Sequence, residues 1–300
     1  MPLSGKRIVL TALGVLAGLA SWPLTELVLM GQAGFPSYLV FSMITGAVFG
    51  IILGAFFASA EGIFAKIWPR IGAGAATGAG VGVVGGVLGM LVGQGLLFIM
   101  GEYLFTSAVN FELVGLPLSR AGGWAILGLF VGMSEGIRAG AFRKVWTGAL
   151  GGFVGGLVGG AALEYSRLLI PQVQYGRLVG LVLFGLLLGV AYALVERSLS
   201  YGVLRVLNGL DKGREFIINQ RRMFIGATDG NDIVLKAYRN IADRHVRVRV
   251  KKGDVFLEPV ETPEGGTSKI EVNDDPVTSH ALKYEDVIKV GTAKLFFKHE

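Results

Sequence analysis

The sequence contains no cysteine, which excludes disulfides, thiolate metal sites and cysteine nucleophiles together. Its histidines are equally sparse: His245, His280 and His299 all lie in the last third. A histidine metal centre or a histidine base is therefore excluded from the first two thirds, which also carry no aspartate. Charge is the third shortage. Residues 1–202 hold 11 Lys/Arg and 7 Glu but 39 of the 47 glycines, whereas residues 203–300 hold 17 Lys/Arg and 15 Asp/Glu. With 52% hydrophobic residues overall, this asymmetry divides the 300-residue chain into a membrane part and a soluble tail. The net charge of +6 is not concentrated in the tail, so no nucleic-acid footprint is expected.

Apolar runs near 8–30, 38–60, 71–100, 121–135, 145–163 and 178–196 predict six spanning helices, the fourth being the shortest. Lys6-Arg7 before an apolar run to Ala20 has the outline of a signal peptide. The run continues past Trp22-Pro23 to Met30, so it reads instead as the first span. Nine Lys/Arg in the connections on one side (residues 6, 7, 66, 70, 138, 143, 144, 197 and 205) face three on the other (residues 120, 167 and 177). That bias predicts an inner, plasma-membrane protein with both termini in the cytoplasm.

A five-position pattern recurs three times: Gly54/Ala58/Glu61/Arg70/Gly74, Gly128/Gly132/Glu135/Lys144/Gly148 and Gly189/Ala193/Glu196/Arg205/Gly209. It predicts an internal triplication of a membrane hairpin, with repeats of about 1–65, 66–142 and 143–209 inside a domain spanning 1–202. Small residues at four-residue spacing, such as Gly148, Gly152, Gly156 and Gly160, predict glycine-zipper packing, which in lipid replaces the hydrophobic drive for helix association. The same stripes predict further helix contacts in a homo- or hetero-oligomer embedded in the bilayer.

Each repeated Glu ends an even span, and each repeated Lys or Arg opens the next segment. Both placements oppose the helix dipole, and pairing them relieves both. The expected clasps are Glu61 with Arg70, Glu135 with Lys144 and Glu196 with Arg205, with exchange between neighbouring repeats also open. A sharper alternative is a ring of three acids lining an ion or proton path. Two short motifs are set aside. Gly80-x-Gly82-x-x-Gly85 lacks the preceding strand of a dinucleotide site, and Gly132-Met133-Ser134-Glu135-Gly136 has no histidine in its own domain. With no nucleophile and base in reach of each other, no enzyme activity and no cofactor are expected.

Beyond Val203 the pattern changes to short alternating segments broken by turns such as Asp229-Gly230 and Lys252-Gly253-Asp254. This predicts an antiparallel β-sandwich over 210–300. Phe224-Ile225-Gly226-Ala227, Asn231-Asp232-Ile233-Val234-Leu235, Arg244-His245-Val246, and Leu282 with Glu285-Asp286-Val287-Ile288-Lys289-Val290-Gly291 together resemble a forkhead-associated (FHA) domain. The resemblance implies a loop face that binds phosphothreonine peptides. Here that face comprises Gly226, Ala227, Asn231, Ala242, His245, Gly265 and Gly266. Ala227 stands where the family carries Arg, Ala242 where it carries Ser, and Gly265-Gly266 where it carries an Asn-Gly pair. Those losses remove the charge-assisted contacts that hold phosphate. The expectation is a degenerate, protein-binding module on a membrane anchor, an adaptor or assembly subunit. The alternative is a channel or transporter with an FHA-like regulatory tail.

Overall fold

The computed structural model describes residues 3–104, 110–251, 253–261 and 267–298. The chain divides into two compact units, residues 7–196 and residues 197–300 together with the first six.

The first unit holds six helices long and apolar enough to cross a membrane. They are α1 (Leu3–Met30), α2 (Tyr38–Ala65), α3 (Trp68–Ile99), α4 (Leu116–Arg138), α5 (Phe142–Leu169) and α6 (Val173–Ser198). Their ends are punctuated locally. The Val40 N–H donates to the Ser37 hydroxyl at 3.3 Å to cap α2, and Lys66 closes α2 in the left-handed region. Pro69 and Pro117 stand in the first turns of α3 and α4, where no amide donor is needed. Pro23 lies inside α1, flanked by Ser21 and Thr25, whose hydroxyls donate to carbonyls four residues back at 2.7 Å. The fourth helix begins at Leu116, well before its apolar run, because Pro117 can start a helix over polar residues that a hydropathy window excludes.

Facing glycines bring several helix pairs to backbone contact, Gly89 of α3 and Gly123 of α4 among them. On α2 and α3, Gly46 faces Gly86, Gly50 faces Gly82 and Gly54 faces Gly78. Gly128 faces Gly152 and Gly132 faces Gly148 between α4 and α5, and Gly14 of α1 faces Gly185 of α6. A Cβ built at any of these positions falls on the carbonyl of the facing residue. The last pair matters for the expected triplication: α1 occupies beside α6 the place that the following helix occupies in the other two hairpins. Between the pairs lies a core of Leu10, Phe49, Leu53, Phe57, Leu127, Val131, Phe184 and Leu188.

The second unit is a two-sheet sandwich. One sheet runs β2 (Glu215–Ile217), β1 (Val203–Val206), β11 (Ala293–Lys298), β10 (Val287–Val290), β7 (Ile270–Val272) and β8 (Asp275–Val277). The other runs β4 (Ile233–Val234), β3 (Arg222–Gly226), β5 (Val246–Lys251), β6 (Asp254–Pro259) and β9 (His280–Ala281). Alternate residues such as Met223 and Ile225, or Val246, Val248 and Val250, point inward to one apolar core with Leu204, Ile218, Leu257, Ile288 and Leu295. The sandwich starts at Val203, earlier than 210, because Leu204 and Val206 bury into that core. Every described strand pair is antiparallel except β3 with β4, where the loop after Gly226 carries the chain back alongside β3 for two residue pairs.

Asp286 pins the end of this sandwich. Its carboxylate accepts from the Lys283 N–H at 2.8 Å, the Asn273 amide at 2.8 Å and His280 Nε2 at 3.0 Å. Burial pushes its carboxyl up, but these donors outweigh burial and hold it below the ordinary carboxylate value. A folded-state value below the unfolded one stabilises the fold above about pH 4, and that stabilisation is lost as pH falls through the folded value. Asp286→Asn is expected to lower stability at pH 7 by about 2 kcal/mol and to flatten the acid limb of the unfolding curve between about pH 5 and 2. Thermal melts across that range check both effects.

For the bundle, Gly82→Ala is expected to cost about 1–3 kcal/mol by forcing α2 and α3 apart. Gly80→Ala, two residues away where a Cβ meets nothing within 4 Å, is expected to be neutral or slightly stabilising. Melting temperatures in detergent separate the two.

Candidate functional site

The repeated acids converge at one end of the bundle. Lys144, near the start of α5, is almost fully buried, and its ammonium lies 2.8 Å from Glu135 Oε1 and 3.1 Å from Glu61 Oε2. Glu135 belongs to α4 and Glu61 to α2, so one ammonium joins a hairpin to the neighbouring one. Arg138, at the end of α4, pairs with the same Glu61 oxygen. The Tyr192 hydroxyl of α6 donates to Glu135 Oε2 at 2.8 Å. Glu196, also on α6 and 3% exposed, acts electrostatically on the Lys144 ammonium. The turn that presents Lys144 depends on Gly140, which takes a φ of +62° between α4 and α5. It also depends on Gly136, where a Cβ would fall on the Val145 amide.

Arg70 remains in the first turn of α3. Arg205, expected to clasp Glu196, lies in the sandwich. It is the outward residue of β1, opposite Glu215 and Phe296, because its apolar neighbours alternate into the sandwich. Periodicity over four residues was the signal that places it there.

A second charge cluster, built on Glu26 and Glu164 near the other ends of α1 and α5, occupies the opposite end of the bundle. Arg120 Nη1 lies 3.0 Å from Glu164 Oε2, with Arg167 at 3.3 Å from the same oxygen and the Trp124 indole N–H donating to Oε1 at 3.3 Å. Arg177 grips Glu26 with two bonds of 2.7 Å, tying α6 to α1. These groups rim a cavity of about 170 Å³ to which all six helices contribute, among them Thr25, Phe41, Gln94, Arg120, Glu164 and Arg177. Its floor is aromatic: Trp124 packs against Phe49 and Phe184, each at 5.0 Å between ring centroids. Below that floor Leu53, Phe57, Leu127, Val131 and Leu188 fill the interior down to the Lys144 cluster. From Trp124 to Glu135 the helical rise is about 16 Å, and among the described residues this depth is packed with apolar side chains.

Removing the ammonium leaves buried carboxylates without their shared cation, and breaking such a pair from one side typically costs about 3–5 kcal/mol. Lys144→Met is therefore expected to lower the melting temperature in detergent far more than Lys66→Met, whose side chain is exposed. Equal melting temperatures for the two variants would contradict the buried cluster.

In the sandwich, the loop residues singled out from the sequence lie around the β3–β4 and β4–β5 connections. The Ala227 N–H donates to the Ala242 carbonyl at 3.1 Å, so the two positions that lack the family's Arg and Ser are neighbours. Asn231, 1% exposed, donates through Nδ2 to the Thr228 carbonyl at 2.9 Å and the Asp243 carbonyl at 2.6 Å. Gly226 is needed there, since a Cβ would fall on the Asp243 carbonyl. His245 accepts from the Ala242 N–H through Nδ1 at 3.0 Å, and its Nε2–H donates to the Lys269 carbonyl, also at 3.0 Å. The Asn231 amide nitrogen and both His245 ring nitrogens are thus spent on the loops themselves. Gly265 and Gly266 lie outside the described residues. Among the described residues no group of three or more His, Cys, Asp or Glu could hold a metal ion.

Comparisons with known proteins bear on the sandwich. Residues 205–300 match the family model described as "Inner membrane component of T3SS, cytoplasmic domain". No curated protein matches the chain. Among solved structures, an FHA domain studied for phosphothreonine-dependent interactions is 21% identical, with 33% of this chain and 96% of that chain covered and a TM-score of 0.29. The FHA domain of the CT664 protein of Chlamydia trachomatis is also 21% identical, covering 33% of this chain and 97% of that chain at a TM-score of 0.29. An FHA domain of an Arabidopsis thaliana protein is 20% identical, covering 33% and 86% at 0.29. The family match falls on the tail, and the chain joins that tail to six membrane-length helices.

Proposed function

We propose that the protein is a non-enzymatic, membrane-anchored adaptor or assembly subunit of the inner membrane, which docks a protein partner through its FHA-like sandwich without requiring phosphate. The observation that carries this reading is the pairing of six membrane-length helices with a tail that matches the cytoplasmic domain of an inner-membrane secretion-system component. The excess of Lys and Arg on the side of both termini supports a cytoplasmic sandwich. Phosphate independence is supported by the loop face. Ala227 and Ala242 offer no side-chain donor, and the Asn231 amide donor and both His245 ring nitrogens are engaged with the backbone. A phosphate there would lack the bidentate and hydroxyl contacts that make such recognition strong.

A channel or transporter is the second reading, favoured by the cavity at the Arg120–Glu164 end and by the acids around Lys144. The apolar packing between them weighs against it, since an ion path needs polar or wetted continuity. In the adaptor reading the bundle is instead a rigid base, and its exposed surface is covered by lipid and by neighbouring chains.

Mild-detergent purification from native membranes is expected to yield a stoichiometric protein companion that stays bound after phosphatase treatment. Calorimetry with a phosphothreonine peptide library is expected to show no binding. Micromolar binding lost on dephosphorylation, or the absence of any companion, would contradict the proposal.

A further inference from the structure

The outward face of the sheet formed by β3, β5 and β6 carries an unusual charge arrangement. Arg222 and Phe224 project from β3, Arg247, Arg249 and Lys251 from β5, and Asp254, Phe256 and Glu258 from β6. Three guanidinium groups surround the Phe224 ring: Arg222 and Arg244 at 5.0 Å from its centroid and Arg247 at 5.7 Å. Register places Arg222 directly opposite Arg249 and Phe224 opposite Arg247. A like-charged pair directly opposed across two strands is destabilising.

The local carboxylates do not offset this. Glu258 is shared at 3.7 Å by Arg247, 3.8 Å by Arg249 and 4.0 Å by Lys251, distances too long for strong hydrogen bonds. Asp254 stands opposite Lys251 at the end of the strand. Five cations therefore face Asp254 and Glu258 on the outer sheet surface, with Asp232 at its edge accepting from the Phe224 N–H, and Arg249 and Lys251 remain 50% and 51% exposed. Phe224 holds the guanidinium groups by cation–π contact, which fixes their planes and lowers the entropy lost when they engage a ligand.

We infer that this face is a docking surface for an acidic segment of a protein partner. The inference rests on the adaptor reading and names the chemistry of the partner. Guanidinium forks match carboxylates bidentately, and four of the five cations are arginines. A membrane surface fits less well. Interfacial anchoring combines basic with projecting apolar side chains, and the exposed large apolar residues of the described sandwich, Leu210 and Tyr284, stand on none of these three strands. Single-stranded nucleic acid needs bare aromatic faces for stacking, whereas Phe224 is covered by guanidinium groups. This surface also differs from the loop face of Ala227 and Ala242.

The test uses the full chain in nanodiscs of zwitterionic phosphatidylcholine and a fluorescein-labelled peptide of alternating Glu and Ala. Saturable binding is expected, weakening with added salt and falling about tenfold or more in Arg222→Gln/Arg249→Gln. Phe224→Leu, which keeps the apolar volume, is expected to weaken binding less. Circular dichroism and the melting temperature establish that each variant is folded. No binding by the wild-type chain, equal binding of a Gln-Ala peptide, undiminished binding by the double variant, or preference for phosphatidylglycerol vesicles over the peptide would overturn the inference. A native companion that co-purifies equally with the wild type and the double variant would overturn it while leaving the adaptor reading intact. Loss of every companion already in the wild type would instead remove that reading.

Discussion

A buried lysine ammonium constrains the bundle more than any other group. Lys144 is removed from water at the end of the bundle where α4 turns into α5, and a charge there is tolerable only if paired and hydrogen-bonded. Its partners come from different helices: Glu135 from the preceding helix and Glu61 from the neighbouring hairpin. Tyr192 adds α6 to the same centre through Glu135. The helix ends must meet at this point for the charges to be satisfied, and they meet only because glycine removes the side chains that would hold the backbones apart. Electrostatics sets the register and glycine permits the distance.

At the other end the same logic uses different residues. Glu26 with Arg177 and Glu164 with Arg120 tie α1 to α6 and α5 to α4. Two polar ends therefore enclose an apolar middle, in which Trp124, Phe49 and Phe184 close the floor of the cavity. Such a body is suited to holding shape. The sandwich is built in the complementary way, with an apolar core and loops that satisfy themselves. Asn231 and His245 keep architectural roles where Ala227 and Ala242 carry none of the donors a phosphate needs, while cationic chemistry collects on the flat outer face around Phe224.

Much of this was legible in the sequence because it is written in composition and period. Six apolar runs and an abrupt rise in charge marked the membrane part and the tail. Alternation marked most of the strands, and Phe224 to Leu235 with Arg244-His245 carried the resemblance to FHA domains. The bundle's third hairpin was less visible. Gly189, Ala193 and Glu196 repeat the pattern, but the helix whose backbone Gly189 meets is α1, at the opposite end of the chain, and local spacing cannot report so distant a contact. Arg205 was drawn into the pattern by spacing alone, although Leu204 and Val206 on either side of it already alternate as a strand. The short strands β7, β8 and β9 escaped because two or three residues give no period. The Asn273-Asp274 turn, left-handed at both residues with φ of 54° and 68°, was their readable sign. The cationic face was hidden because its arginines lie on separate strands and assemble only through register.

In the proposed reading the bundle, packed with apolar side chains between its polar ends, is an anchor and not a conduit. Ion and proton flux through the purified protein in liposomes measures this directly. Flux at the level of protein-free liposomes is the expected result, unchanged by Glu135→Gln. Flux above that level in the wild type, abolished by Glu135→Gln, would show a path through the Lys144 cluster and contradict the account.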